Sequence, residues 1–166
     1  MNRAIINAYL ETLLWSETLS AIDEDGNPST LKIPETSCMT SVAGDEIDDG
    51  SPLDSFLDVS DLPELAPQLF DEARDDLEGF QAYCEETLGF DPFEVFDPSQ
   101  VAHCFCLSRN GHGSGFFDGD WTVRGSNGMS EQQADALQDA AQTFGTYGLQ
   151  VWVNEGAADV SVESHG

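Results

Sequence analysis

Apolar residues recur at helical spacing in three parts of the chain and fall into short or alternating runs in its last third. From Arg3 to Trp15, Ile5, Ile6, Tyr9, Leu10, Leu13 and Leu14 share one side of a helix, which predicts an amphipathic helix. The strongest stripe lies between Pro67 and Leu88. There Leu69, Phe70, Ala73, Leu77, Phe80 and Cys84 follow at helical steps. Pro63 and Pro67 punctuate its entry, and Gly89 supplies a stop. Ser130-Glu131-Gln132-Gln133 fits a capping box, with Ser130 as N-cap. It predicts a third helix that buries Ala134, Leu137, Ala141 and Phe144 and closes at Gly145.

Between these segments the pattern changes. Ser16 to Pro52 is polar and reads as loop, roughly half of it poorly ordered on composition. Within it, Asp25-Gly26-Asn27-Pro28 predicts a turn and Asp45 to Gly50 an acidic loop. Asp91-Pro92 and Asp97-Pro98 read as a linker. His103–Ser108 and Ser114–Phe117 read as two short strands turning on Arg109-Asn110-Gly111-His112-Gly113. Tyr147 to Val153 alternates as a strand, and Val160 and Val162 add a short edge strand. The expected fold class is α+β in a single domain over 1–166. An acidic part, mainly helix and loop, occupies 1–100; a small antiparallel sheet with one packed helix occupies 101–160.

Charge changes the picture most. The chain has 32 Asp and Glu against 5 Lys and Arg, a formal net charge of -27 at pH 7. Residues 1–100 hold 24 acids and 3 bases; residues 101–166 hold 8 acids and 2 bases. Self-repulsion of this size opposes compaction, so the charge implies a selected purpose. Direct binding to nucleic acid or to an anionic membrane is excluded on the same ground, and the natural partners are basic surfaces or multivalent cations. No run approaches the ~18 apolar residues of a membrane span. Met-Asn-Arg-Ala-Ile-Ile leads into polar residues without the apolar run of a signal peptide. Cys38, Cys84, Cys104 and Cys106 accordingly read as reduced thiols of a cytoplasmic protein.

On the Pro67–Leu88 helix, the side opposite the apolar stripe carries Asp71, Glu72, Asp75, Asp76, Glu78, Glu85 and Glu86, with Arg74 as its one base. Carboxylates one turn apart are about 6 Å apart along the axis, close to the spacing of phosphates along a strand. Such a face imitates the charge texture of a duplex and would occupy the Lys/Arg-lined groove of a nucleic-acid-binding protein. A solvated helix face and adaptation to high salt are the competing readings. The concentration of acids before residue 101 and the ten phenylalanines favour mimicry. Asp45-Glu46-Ile47-Asp48-Asp49-Gly50 lacks the ligand order of a calcium loop.

The segment from His103 to Asp118 is the most distinctive in the chain. His103, Phe105, Leu107, Arg109, Asn110, Gly111, His112, Gly113, Gly115, Phe116 and Asp118 match a pattern shared by a family of small acidic proteins of phages and other mobile elements, which the chain resembles over about residues 100 to 155. The resemblance implies a mobile-element context and carries no activity with it. From the residues themselves, the segment is either a glycine-rich structural hairpin, with Arg109 and Asp118 pairing across it, or a polar cluster of His103, Arg109, His112 and Asp118. The structural reading is favoured, because no nucleophile, phosphate-loop or zinc-protease motif accompanies the cluster. A zinc site from His103, Cys104, Cys106 and His112 is disfavoured, since a strand would point His103 away from the two thiols. The sequence therefore predicts a protein that is not an enzyme and needs no metal or cofactor. It would inhibit a basic host nucleic-acid-binding or defence protein, such as a restriction enzyme or CRISPR effector, and a homodimer is left open. The alternatives are a small enzyme or ligand-binding domain at the His103 cluster, and a salt-adapted accessory protein.

Overall fold

The computed structural model describes residues 1–112, 115–116, 129–154, 156 and 158–166. Its elements are α1 (Arg3–Ser16), β1 (Thr30–Lys32), β2 (Glu46–Asp48), α2 (Leu62–Leu65), α3 (Gln68–Thr87), α4 (Pro92–Val95), α5 (Pro98–Asn110), α6 (Glu131–Gln142), β3 (Gly148–Asn154) and β4 (Asp159–His165). This is an α+β fold. Two compact units share the chain: Met1–Thr12, Asp71–Tyr147 and Gly166 form the first, and Leu13–Phe70 with Gly148–His165 the second.

The first unit is helical. The predicted stripe of α3 is inside it, with Ala73, Leu77, Phe80 and Cys84 fully buried. Phe80 stacks on Phe105 at 4.4 Å between ring centroids and on Phe116 at 5.9 Å. Phe93 and Phe144 meet its ring edge-on at 6.3 and 6.1 Å. Stacked and edge-to-face pairs of this kind add to the stabilisation from area burial alone. α6 begins at the predicted capping box: Ser130 Oγ accepts from the Gln133 N–H, and Gln133 Oε1 accepts from the Ser130 N–H.

α5 overturns the expected hairpin. The run read as strand, His103–Ser108, lies inside this helix, and its turn residues Arg109 and Asn110 are the helix's last two. The Asp-Pro pairs read as linker are helix starts. Asp97 caps α5 by accepting from the Gln100 N–H at 2.9 Å, with Pro98 in the first turn. Asp91 likewise caps α4 through the Phe93 N–H. Proline suits that position because its missing N–H has no helical partner to lose. Gly111 ends α5 in the left-handed conformation, φ +69°, its N–H bonding back to the helix. Of the second expected strand, Ser114 and Phe117 lie outside the described residues, as does Gly113 of the turn. Phe116 is fully buried, and its N–H donates to Ser108 Oγ.

The second unit contains both sheets. β3 and β4 form an antiparallel hairpin in register Val151↔Val162 and Val153↔Val160. Leu149, Val151, Val160 and Val162 are its buried positions. The edge strand expected at Val160 and Val162 is therefore β4. β1 pairs with β2 across Leu31↔Ile47, so the acidic loop expected over Asp45–Gly50 contains a strand. The Asp25–Pro28 turn is present: Gly26 has φ +82°, and Asp23 Oδ1 accepts from the N–H groups of Asp25 and Asn27. Ser16–Pro52, expected to be half disordered on composition, is tied down by such side-chain bonds. Among them, the Ala21 N–H donates to Asp49 at 2.7 Å.

Candidate functional site

The acidic side of α3 was the first site predicted, and the fold divides its seven carboxylates into two sets. Asp71, Asp75, Glu78, Glu85 and Glu86 are exposed. At 100° per residue they fall within an arc of about 100°, and from Asp71 to Glu86 they extend about 22 Å along the axis. Glu72 and Asp76 are half-buried and belong to the scaffold. Glu72 accepts from the Tyr147 hydroxyl at 2.7 Å, and Asp76 from Arg109 at 2.6 Å. Counter-charge on the exposed column is sparse. Arg74 bonds Asp71 at 2.7 Å and stands 3.9 Å from Asp75, and the amino group of Met1 lies 2.9 Å from Glu78.

The column affects its helix unevenly: Asp71 lies in the first turn, where the helix dipole favours negative charge. Glu85 and Glu86 sit near the C-terminal end of α3, where the helix dipole disfavours negative charge, and the last turn has no base to offset them. Asp71 and Asp75 are a like-charge pair one turn apart, which costs a few tenths of a kcal/mol.

Of the polar cluster expected at His103, Arg109, His112 and Asp118, the structure describes the first three residues. Arg109 is buried, its side chain 4% exposed. Its Nε donates to Gly145 O at 2.9 Å, Nη2 to Phe144 O at 3.0 Å, and Nη1 to both Tyr9 Oη at 2.8 Å and Asp76 Oδ2 at 2.6 Å. The guanidinium also lies 5.2 Å from the centre of the Phe105 ring and 5.3 Å from that of Tyr147. Among the described residues, the carboxylate that pairs with Arg109 is that of Asp76; the expected pairing with Asp118 lies outside them. A guanidinium with four of its five donors committed is a clamp, not an anion receptor.

Asn110 extends the clamp by accepting from the Tyr147 N–H at 2.7 Å. Gly115 has φ +128°, and a Cβ there would collide with Ser108 Oγ, so glycine is required. The distinctive segment therefore organises this unit: it fixes α1, α3 and the turn before β3 to the end of α5.

Thr12 Oγ1 donates to Ala8 O at 2.7 Å and lies 2.8 Å from His103 Nδ1. His112 is exposed. Asp118 lies outside the described residues. Cys104 and Cys106 are buried. Among the described residues, no three His, Cys, Asp or Glu side chains are placed to share a metal ion.

One polar constellation of the second unit had no signal in the sequence. Asp159 Oδ1 accepts from Ser37 Oγ at 2.6 Å and from the Val160 N–H at 2.8 Å, and Oδ2 accepts from the Cys38 N–H at 3.0 Å. Burial alone would raise the Asp159 pKa, but these donors hold it below the ordinary value. The Cys38 thiol is pushed up to about 12 by burial and by the carboxylates of Glu64 and Asp159, so at neutral pH it is a donor and not a nucleophile. The unfolded chain binds the Asp159 proton more tightly than the folded chain does. The stabilisation is therefore complete above about pH 4 and is lost as pH falls through the lower folded value. Asp159→Asn should cost about 1.5 kcal/mol at pH 7, the lower end for bonds to a charged group, because this carboxylate is partly solvated. Urea titrations of both proteins at pH 7 and pH 3 check this: the difference should shrink at pH 3.

The uneven charge of the sequence also looks different in the fold. Each unit holds 16 acids; the first has four bases and the second has Lys32 alone, giving -12 and -15 of the total -27. Acids concentrated early in the chain are thus shared equally between the units. Among the described residues, no helix is long and apolar enough to cross a membrane. No family model, curated protein or solved structure matches the chain.

Proposed function

We propose that the protein is a nucleic-acid-mimicking inhibitor from a phage or mobile element, which occupies the basic site of a host DNA-binding or defence enzyme in the cytoplasm. The observation that carries this reading is the column of five exposed carboxylates within one arc of α3, of which Glu85 and Glu86 sit against the helix dipole. The family resemblance of the His103–Asp118 segment supports the mobile-element origin. Binding is stoichiometric, uses carboxylates in place of phosphates, and weakens with added salt as protein–DNA binding does.

The test replaces Asp71, Asp75, Glu78 and Glu85 together by their amides. Basic proteins captured by the wild type should be lost from the variant, with affinity lower by about tenfold or more and a flatter salt dependence. DNA should compete with the wild type for the same proteins. Capture of only neutral or acidic proteins, indifferent to salt and nuclease, would sink the proposal.

A second reading, a salt-adapted accessory protein, is favoured by the equal division of acids between the units. It requires a fold that forms only in molar salt and a four-amide variant that is more stable without losing any partner. A wild type that folds fully at about 0.15 M salt, near the physiological value, would reject it.

A further inference from the structure

We infer that a cleft in the second unit receives an extended peptide segment bearing a basic side chain, held by main-chain pairing to two open strand edges. This site is separate from the acidic column of α3 and does not depend on its role. The cleft measures about 360 Å³, within the range of ligand-binding pockets, and lies between Glu17–Ser20 on one side and Leu149–Val151 of β3 on the other.

One edge is the Glu17–Ser20 segment. Thr18 stands opposite Pro52 in an antiparallel bridge. The bridge is closed by the Leu19 N–H on Ser51 O at 2.8 Å and the Leu53 N–H on Glu17 O at 2.9 Å. In extended chain, successive peptide groups point to opposite sides, so Thr18 and Ser20 turn theirs away from residues 51–53. Neither residue makes a main-chain bond among the described residues. The other edge is β3, whose single strand partner among the described residues is β4. An unpaired strand edge is a template for another strand.

The lining selects the occupant. Leu19, Leu53, Leu149 and Val151 are already 93% or more covered, so they offer little apolar wall. What remains is hydrogen-bonding: Glu17, Thr18, Ser20, Gln150 and His165. This suits a peptide main chain and not a lipid or a flat aromatic ligand. The charge selects further. Glu17 is the one carboxylate in the lining, and the unit around it carries a net -15.

Gly148 prepares the end of the cleft. A Cβ there would lie 2.8 Å from His165 Nε2 and 3.3 Å from Glu17 Oε1. The bare glycine thus lets the imidazole lie against the strand near the carboxylate, where a lysine or arginine side chain would anchor. Three or four residues, at about 3.3 Å each, match the length of the two edges. Recognition of this kind is strand addition, with the main chain supplying affinity and one side-chain anchor supplying selectivity.

The test titrates the full-length protein with a blocked tetrapeptide of alternating lysine and valine, followed by amide chemical shifts. Saturable shifts at Thr18, Ser20 and Gln150 are expected. Methylating alternate peptide nitrogens should weaken binding at least tenfold, as should Glu17→Gln, and a glutamate–valine peptide should not bind. The four-amide α3 variant should bind the peptide as the wild type does, which separates this site from the acidic column. Absence of saturable shifts would overturn the inference. So would indifference to nitrogen methylation, or equal binding of free lysine, which would make the cleft a site for small amines.

Discussion

Replacing Arg109 by methionine should destabilise the first unit by about 3–5 kcal/mol, the range for removing one partner of a buried ion pair. The methylene stem would be kept while the fork is lost, leaving Asp76, the Tyr9 hydroxyl and the carbonyls of Phe144 and Gly145 without their donor. Asp76, with 30% of its side chain exposed, can regain water. Tyr9 is fully buried and cannot, and burial already pushes its hydroxyl pKa well above the ordinary value. Lysine should rescue only part of the loss, because an ammonium lacks the planar fork that reaches two carbonyls and a carboxylate together. Urea unfolding followed by tyrosine fluorescence and by amide exchange in α5 measures both variants. A loss below about 1 kcal/mol for Arg109→Met would mean that the clamp is dispensable, since that is the scale of an exposed ion pair.

The clamp also explains which features the sequence revealed and which it concealed. α1, α3 and α6 were legible because each keeps one apolar face and one polar face, and α6 has a reciprocal cap. α5 has no such stripe: from Val101 to Arg109 all but His103 are buried, so apolar and small residues follow one another without helical period. Its boundary signals were nonetheless present. Asp97-Pro98 opens it and Gly111 closes it, but Asp-Pro also marks linkers and Asn-Gly also marks hairpins. β1 and β2 are three residues each with mostly exposed side chains, and their pairing depends on partners about 15 residues away, which no local pattern records.

The acidic site was legible to the same degree. Its helical row followed from residue type and period alone. Its division into five exposed and two structural carboxylates did not, because Asp76 is held by a residue 33 positions away and Glu72 by one 75 positions away. Arg109 appeared in the sequence both as a structural partner for Asp118 and as a member of a polar cluster. Among the described residues the acid it meets is Asp76 on α3, a partner that no local pattern records.

Phe80→Ala should cost about 3–5 kcal/mol, the loss expected on truncating a buried phenylalanine, and this core has little room to close around the void. Phe80 is fully buried between Phe105 and Phe116, with Phe93 and Phe144 at its edges, so four aromatic neighbours lose a partner together. Total stabilities of ~5–15 kcal/mol leave small domains little reserve, and a net charge of -27 reduces it further. The variant should therefore depend strongly on salt. It should be largely unfolded at low ionic strength and recover as screening relieves repulsion among the carboxylates, a shift that thermal melts across a sodium chloride series would record. Partner binding should respond differently. Phe80 faces inward and the exposed column outward on the same helix, so the truncation weakens α3's anchorage without altering its charge pattern. At a salt concentration where Phe80→Ala is fully folded, its affinity for a basic partner should equal that of the wild type at the same salt. The four-amide variant should show the opposite combination: a fold at least as stable as the wild type and a lost partner. Reduced affinity in fully folded Phe80→Ala would show that recognition needs the core geometry as well as the row of charges, and that a charged helix face alone does not account for binding.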